Sequence, residues 1–203
     1  MGHNSLNIAS LIGSRICHDL ISPIGAINNG IELMGMSQPG PMSPEMALIA
    51  ESCDNAAARI RYFRVAFGSA GSKQRIGAAE IEGILADVLR GGRLRVDWQT
   101  AGDQPRSEVQ LAFLALMCFE TALPYGGDVA IAFRDEHWVI TGAAPRMSLN
   151  DALWQGLGAA PSDETGAEIT PALVQFALLP VLVADFGRKI ETQIEESRLT
   201  MRI

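Results

Sequence analysis

Three cysteines in 203 residues, Cys17, Cys53 and Cys118, are too few and too scattered for a disulfide framework or a thiolate metal site. They lie in apolar periodic segments and read as small buried hydrophobes in a reducing compartment. Basic residues are outnumbered, 16 Lys and Arg against 23 Asp and Glu, which gives a net charge of -7 and a pI near 5.0. That balance argues against a general affinity for nucleic acid or for an anionic membrane surface. No apolar run is long enough to cross a bilayer: the longest, ALVQFALLPVLVADF, is short and contains a proline. The opening MGHNSLNIAS has no basic region followed by an apolar run, so it does not read as a secretory signal, and a cytoplasmic location is expected. Internal repeats and low-complexity tracts are lacking too. What remains is 48% hydrophobic and 19% charged, the composition of a folded chain with a real core.

The first seventy residues read as two helices. Cys17, Leu20, Ile24, Ile27, Ile31 and Met34 recur at steps of three and four and form a heptad-like seam. Pro39, Gly40 and Pro41 break the pattern. Ser43-Pro44-Glu45 restarts it as N-cap, first-turn proline and first-turn acid. The second helix continues through Met46, Ile49, Cys53, Ala56 or Ala57, Ile60, Phe63 and Phe67. Two such helices touch along a line and cannot enclose a core. They need the rest of the chain or a second hairpin, so a homodimer built as a four-helix bundle is expected.

Beyond GSAGSKQRIG the periodicity changes. AAEIEGILADVLRGG reads as a helix, RLRVDWQT as a strand and RSEVQLAFLALMCFETAL as a strongly apolar helix. DVAIAF and HWVITG are strands around the turn Arg134-Asp135-Glu136. A short helix near SLNDALWQGL and a Gly/Pro/Asp-rich loop follow. Thr170-Pro171 then starts a helix to Phe186 in which Pro180 marks a kink, and KIETQIEE with RLTMRI closes as a hairpin. The order predicts an α+β protein: a helical hairpin over residues 1–70, then an α/β sandwich over 76–203 with helices on one face of its sheet.

On the first helix, Arg15, His18, Ser22, Gly25, Asn29 and Glu32 share one face beside the apolar seam. Apart from Arg15 and Glu32 this strip is small or neutral, and one imidazole stands on it. An imidazole titrates near neutrality and offers a nitrogen lone pair, which suits a nucleophile that meets a large partner. The slightness of Ser22 and Gly25 gives that partner room, and Arg15 stands one turn before His18. An ordinary surface histidine is the competing reading. Pro23 removes a helical hydrogen bond and clashes with the carbonyl of residue 19, at a cost of roughly 3 kcal/mol, so a kink one turn after His18 is expected. His3, near the terminus, and His137, at the start of a strand, read as structural or solvent-facing. Arg59, Arg61 and Arg64 form either a steering row for an acidic partner or a solvated helix face. The methionines Met34, Met36, Met42 and Met46 around the hairpin tip read as packing or as a soft contact surface.

The stretch HDLISPI, His18 to Ile24, resembles the phosphoacceptor motif H-[ED]-x-x-[ST]-P of sensor histidine kinases. The longer string CHDLISPIGAINNGIELM is similar to the ChpT-type histidine phosphotransferases of alphaproteobacterial phosphorelays. The resemblance extends loosely over the whole chain. It implies a dimerising hairpin followed by a degenerate kinase ATPase-like domain, with His18 as phosphoacceptor. It also implies that Asp19 assists by hydrogen bonding or proton acceptance and that Ser22 faces the reaction centre. Gly25 and Asn29 then fall on the partner-facing strip. The implied partners are receiver domains of a hybrid histidine kinase and of response regulators, with neither nucleic acid nor membrane as partner.

A kinase's nucleotide site would need a magnesium-binding asparagine on the apolar helix and a D-x-G-x-G segment after a strand. The helix offers Cys118, Glu120 and Thr121 instead, and the segment after HWVI reads Thr141-Gly142-Ala143-Ala144. Gly156, Gly158 and Gly166 follow no phosphate-cradle pattern. No intrinsic cofactor or metal is therefore expected, with magnesium supplied by the receiver. An active kinase with an unusual ATP site, and a non-catalytic dimeric module that blocks a kinase or receiver, remain the alternatives.

Overall fold

The structure, a computed structural model, describes residues 13, 20–21, 24–35, 43–69, 71, 73–158 and 169–203. Residues 24–35 form helix α1, and Gly13, Leu20 and Ile21 are helical too. Helix α2 spans Pro44–Ala66. The Ser43 hydroxyl accepts from the Met46 amide at 3.3 Å, Pro44 opens the helix and Glu45 lies in the first turn. Hydrogen bonds from its own backbone and from Ser43 hold the Glu45 carboxyl below its ordinary range. The two helices run antiparallel. A methyl group on Gly13 would lie 3.7 Å from Phe67 Cβ, and further along Asn28 Nδ2 donates to Asp54 Oδ1 at 3.0 Å.

The sequence predicts one buried seam on the hairpin; the structure divides it. Ile31 and Cys53 are buried, whereas Leu20, Ile27, Met34 and Ile49 stay between 45% and 51% exposed. Two helices can bury only the side chains that face each other or the rest of the chain. Towards its C-terminal end α2 packs elsewhere, and Tyr62, Val65 and Ala66 join the core that the rest of the chain builds.

That core rests on a five-stranded mixed sheet. After the short strand β1 (Arg75–Ile76) come helix α3 (Ala78–Val88), strand β2 (Leu94–Trp98), the short strand β3 (Gln104–Pro105) and helix α4 (Arg106–Ala122). Strands β4 (Gly127–Arg134) and β5 (His137–Ala143) form a hairpin, followed by α5 (Asp151–Gly158). A 3-10 turn at Pro171–Leu173 leads into α6 (Val174–Asp185), and β6 (Glu191–Ile194) and β7 (Arg198–Arg202) end the order. The sheet runs β2-β4-β5-β7-β6, with β2 parallel to β4 and the other pairs antiparallel; β1 and β3 make a separate two-stranded ladder. The expected α+β class, with helices on one face of the sheet, is what the chain adopts. The first turn of the helix predicted from Thr170 is the 3-10 turn, and Pro180 is buried inside α6.

Most of α4 is buried, as its nearly unbroken apolar sequence requires, and it lies over β5. Gly142 permits that approach, because a Cβ there would come 2.6 Å from Phe119 Cδ1. Glu108, buried at the start of α4, is fully engaged. It accepts from Trp138 Nε1 at 2.8 Å and from both terminal nitrogens of Arg188 at 2.9 and 2.8 Å. A buried carboxylate is tolerable only with such partners.

Candidate functional site

Gly25 and Asn29 are the sequence-predicted site residues that the structure describes. Both are on α1; Asn29 is exposed, and a methyl group on Gly25 would meet nothing within 4 Å. That side of the helix is open at these two positions. Arg15, His18, Asp19 and Ser22, together with the Pro23 kink, lie outside the described residues, as do His3, Met36, Met42 and the loop from 159 to 168.

Next to the open strip, Asn28 holds Asp54 across the hairpin. Their pair lines a polar cleft of about 260 Å³ with Asn55, Arg61, Asp87 and Arg90. Arg61 bonds Asp87 at 2.7 Å and Arg90 bonds the other oxygen of the same carboxylate at 2.5 Å, so Asp87 ties α2 to α3. Of the arginine row on α2, Arg61 is thus committed to a structural partner, and the Arg64 carbonyl accepts from Arg106. Sequence reasoning reached Asn28 as part of a motif but missed Asp54 and Asp87. Their partners stand 26 positions away, and no short-range spacing signals such a pair.

The C-terminal end of α2 is capped by α4. Gln110 Nε2 donates to the carbonyls of Ala66 at 3.0 Å and Gly68 at 3.1 Å, and Arg106 adds its bond to Arg64. The last carbonyls of a helix otherwise lack partners and carry the negative end of its dipole, which an amide and a guanidinium satisfy. Burial lowers the Arg106 pKa, with the Arg64 charge adding to that and Glu80 opposing it. Burial also pushes Tyr62 and Cys118 well above their ordinary ranges.

Of the residues that α4 offers in place of a kinase's magnesium-binding asparagine, Thr121 is hydrogen-bonded on both sides. Its hydroxyl donates to the Met117 carbonyl at 3.1 Å and accepts from Gln175 Nε2 at 3.2 Å. Trp154 of α5 stacks edge-on against both Phe119 at 5.9 Å and Phe176 at 5.6 Å, and Leu157 and Leu179 are buried in the same cluster. The neighbouring Glu120 has its pKa raised, chiefly by burial, with the Arg59 charge opposing. His137 takes a structural part, its Nδ1 lying 3.2 Å from the Ile203 carbonyl. Among the described residues no group of three His, Cys, Asp or Glu side chains could hold a metal ion, and no helix is long and apolar enough to cross a membrane.

An antiparallel hairpin whose second helix ends inside an α+β sandwich is the architecture these residues define. Residues 78–198 match the family model of the histidine phosphotransferase C-terminal domain. The chain is 37% identical over 144 residues to the protein phosphotransferase ChpT of Brucella abortus (strain 2308), covering 68% of each protein. A 1.7 Å structure of a bacterial phosphotransferase covers all of this chain and 97% of its own at 28% identity and a TM-score of 0.66. The chain belongs to the histidine phosphotransferase family.

Proposed function

We propose that this protein relays a phosphoryl group between receiver-domain aspartates through His18. The reading rests on one conjunction: a chain of the histidine phosphotransferase family that carries H-D-x-x-S-P at His18 to Pro23. A ring nitrogen of His18 attacks the phosphorus of an aspartyl-phosphate on the donor receiver. The N–P bond forms as the acyl phosphate P–O bond breaks, and the aspartate leaves as carboxylate. The reverse exchange passes the group to a second receiver. Magnesium on the receiver carries most of the charge stabilisation, so the phosphotransferase contributes a positioned imidazole and a docking surface. Asp19 accepts or shares the imidazole proton, Ser22 faces the reaction centre and Arg15 offsets phosphate charge. Gly25 and Asn29 meet the receiver.

In this reading the cycle uses no ATP. The sequence supports that part: α4 offers Cys118, Glu120 and Thr121 and no asparagine, and Thr141-Gly142-Ala143-Ala144 stands where an acid-glycine segment would be needed. The unit of function is a homodimer in the cytoplasm. Residues 1–70 act as the phosphotransfer hairpin and residues 76–203 as a degenerate ATPase-like domain. The apolar positions Leu20, Ile27 and Met34, seven residues apart and exposed in one chain, support a second hairpin covering them.

The experiment is transfer from a radiolabelled phospho-receiver to wild type and to His18→Ala. Acid-labile, base-stable label on the wild type alone is the expected result. Label on both proteins, or on neither across a panel of receivers, refutes the reading.

A further inference from the structure

Strand β2 is the edge of the main sheet. It pairs with β4 on one side, and among the described residues no strand pairs with its other side. Native sheets usually guard such an edge with charged side chains, lysine above all, or with proline, a bulge or a very short strand. The five residues Leu94–Trp98 include neither lysine nor proline. Their two charges, Arg95 and Asp97, are opposite in sign and flank Val96. Laid antiparallel against a second copy with the two-fold axis at Val96, the strand is self-complementary. Arg95 then faces Asp97 of the second copy on the solvent side, and Leu94 faces Trp98 of the second copy on the apolar side. Arg93 meets Gln99, so no like charges oppose one another.

Two further observations favour this occupant. A groove of about 300 Å³ runs between α3 and the strand; Leu85, Leu89, Leu94, Val96 and Trp98 line it together with the charged Glu82 and Arg95, so apolar surface with a charged margin lies beside the open backbone. Arg95 bonds Asp128 of the neighbouring strand at 2.6 and 3.2 Å with its side chain 82% exposed. A guanidinium has five donors, so Arg95 can keep Asp128 and still take a second carboxylate from outside.

We propose that β2 is a self-association surface on which two copies pair antiparallel about Val96, joining their sheets edge to edge. The pairing continues the backbone ladder, and a charge row Asp128–Arg95–Asp97 crosses the new junction on each side of the axis. The contact is separate from the hairpin and adds to whatever assembly the hairpin makes. A short strand and its groove bury less than the roughly 800 Å² per partner of a standard interface, so the association is weak and concentration-dependent.

Light scattering across a protein dilution series tests this with three samples: Arg95→Asp, Asp97→Arg and their equimolar mixture. Wild type should gain mass with concentration, and less so in high salt. Each variant alone sets like charges opposite one another and should need about tenfold more protein for the same gain. The mixture sets two acids against two arginines and should recover the wild-type curve. Asp97→Arg leaves the Arg95–Asp128 bond in place, so its loss of association cannot be laid to that bond. Val96→Cys, which alters no charge, should form a disulfide-linked pair of chains under mild oxidation that wild type does not form. Variants that follow the wild-type curve, a mixture that fails to recover it, or Val96→Cys that stays uncoupled would each overturn the proposal.

Discussion

The Tyr62 hydroxyl of α2 donates to the Phe113 carbonyl of α4 at 3.0 Å, and the two rings pack with centroids 4.8 Å apart. The bond connects the hairpin to the centre of the α+β core, 51 positions along the chain. Tyr62 is 1% exposed, so its hydroxyl has no access to bulk water and this carbonyl is its partner. With Gln110 and Arg106 capping the same helix end, α2 is anchored at three points.

Tyr62→Phe keeps the ring contact and removes the hydroxyl. The Phe113 carbonyl can still accept within α4, so the loss should be about 1 kcal/mol, the net worth of one hydrogen bond. Tyr62→Ala also opens a cavity and should cost about 3–5 kcal/mol. Urea denaturation followed by circular dichroism measures both. Equal losses would mean that the ring contributes nothing to the anchor.

Glu120 supplies a pH dependence whose sign can be worked out. Burial raises its pKa in the folded chain above the ordinary carboxyl value of 4.5, with Arg59 opposing. A raised carboxyl pKa means that the folded state binds the proton more tightly than the unfolded one. Its contribution therefore favours folding below pH 4.5 and is lost as pH rises through the folded pKa. Glu120→Gln removes the ionisation and should raise Tm by about 2 °C at pH 7.5, with no gain at pH 4. Thermal melts at the two pH values decide it; a lower Tm at pH 7.5 would show that the Arg59 attraction outweighs burial.

The turn between β4 and β5 places two ordinary residues in the left-handed region, Asp135 at φ 50° and Glu136 at φ 64°. A two-residue hairpin turn with both φ positive favours Asn-Gly. Glu136→Gly relieves the strain at the second position and should stabilise the fold by roughly 1 kcal/mol. Differential scanning calorimetry reads the change; a lower Tm would mean that the Glu136 side chain makes a contact worth more than the strain.

The parts of this fold legible in the sequence were those set by neighbours in the chain. Ser43-Pro44-Glu45 declared the start of α2, alternation declared β4 and β5, and the apolar run declared α4. Distant partnerships were not legible. Nothing near Glu108 in the chain announces Arg188, 80 positions on, and the two-residue strands β1 and β3 exist only because they meet. On α2 the heptad reading picked out Ile49 and passed over Tyr62, Val65 and Ala66. The helix serves two surfaces along its length, and one periodic stripe cannot describe both. For the candidate site, the open side at Gly25 and Asn29 followed from small residues on one face, whereas the Asn28–Asp54 and Arg61–Asp87 ties needed the fold.

Ile27 tests the dimer. It is 47% exposed in the single chain, midway between Leu20 and Met34 on the heptad stripe. If a second hairpin covers that stripe, Ile27→Glu places a charge in an apolar seam and should split the dimer. Within the single chain a half-exposed position tolerates the change at a cost of no more than about 0.5 kcal/mol. Light scattering at low protein concentration, where the β2 contact is negligible, should fall from twice the chain mass to the chain mass. Tm, which rises with protein concentration for a dimer, should become independent of it. A variant that keeps twice the chain mass would place the dimer contact elsewhere and leave the exposed heptad positions of α1 without a partner.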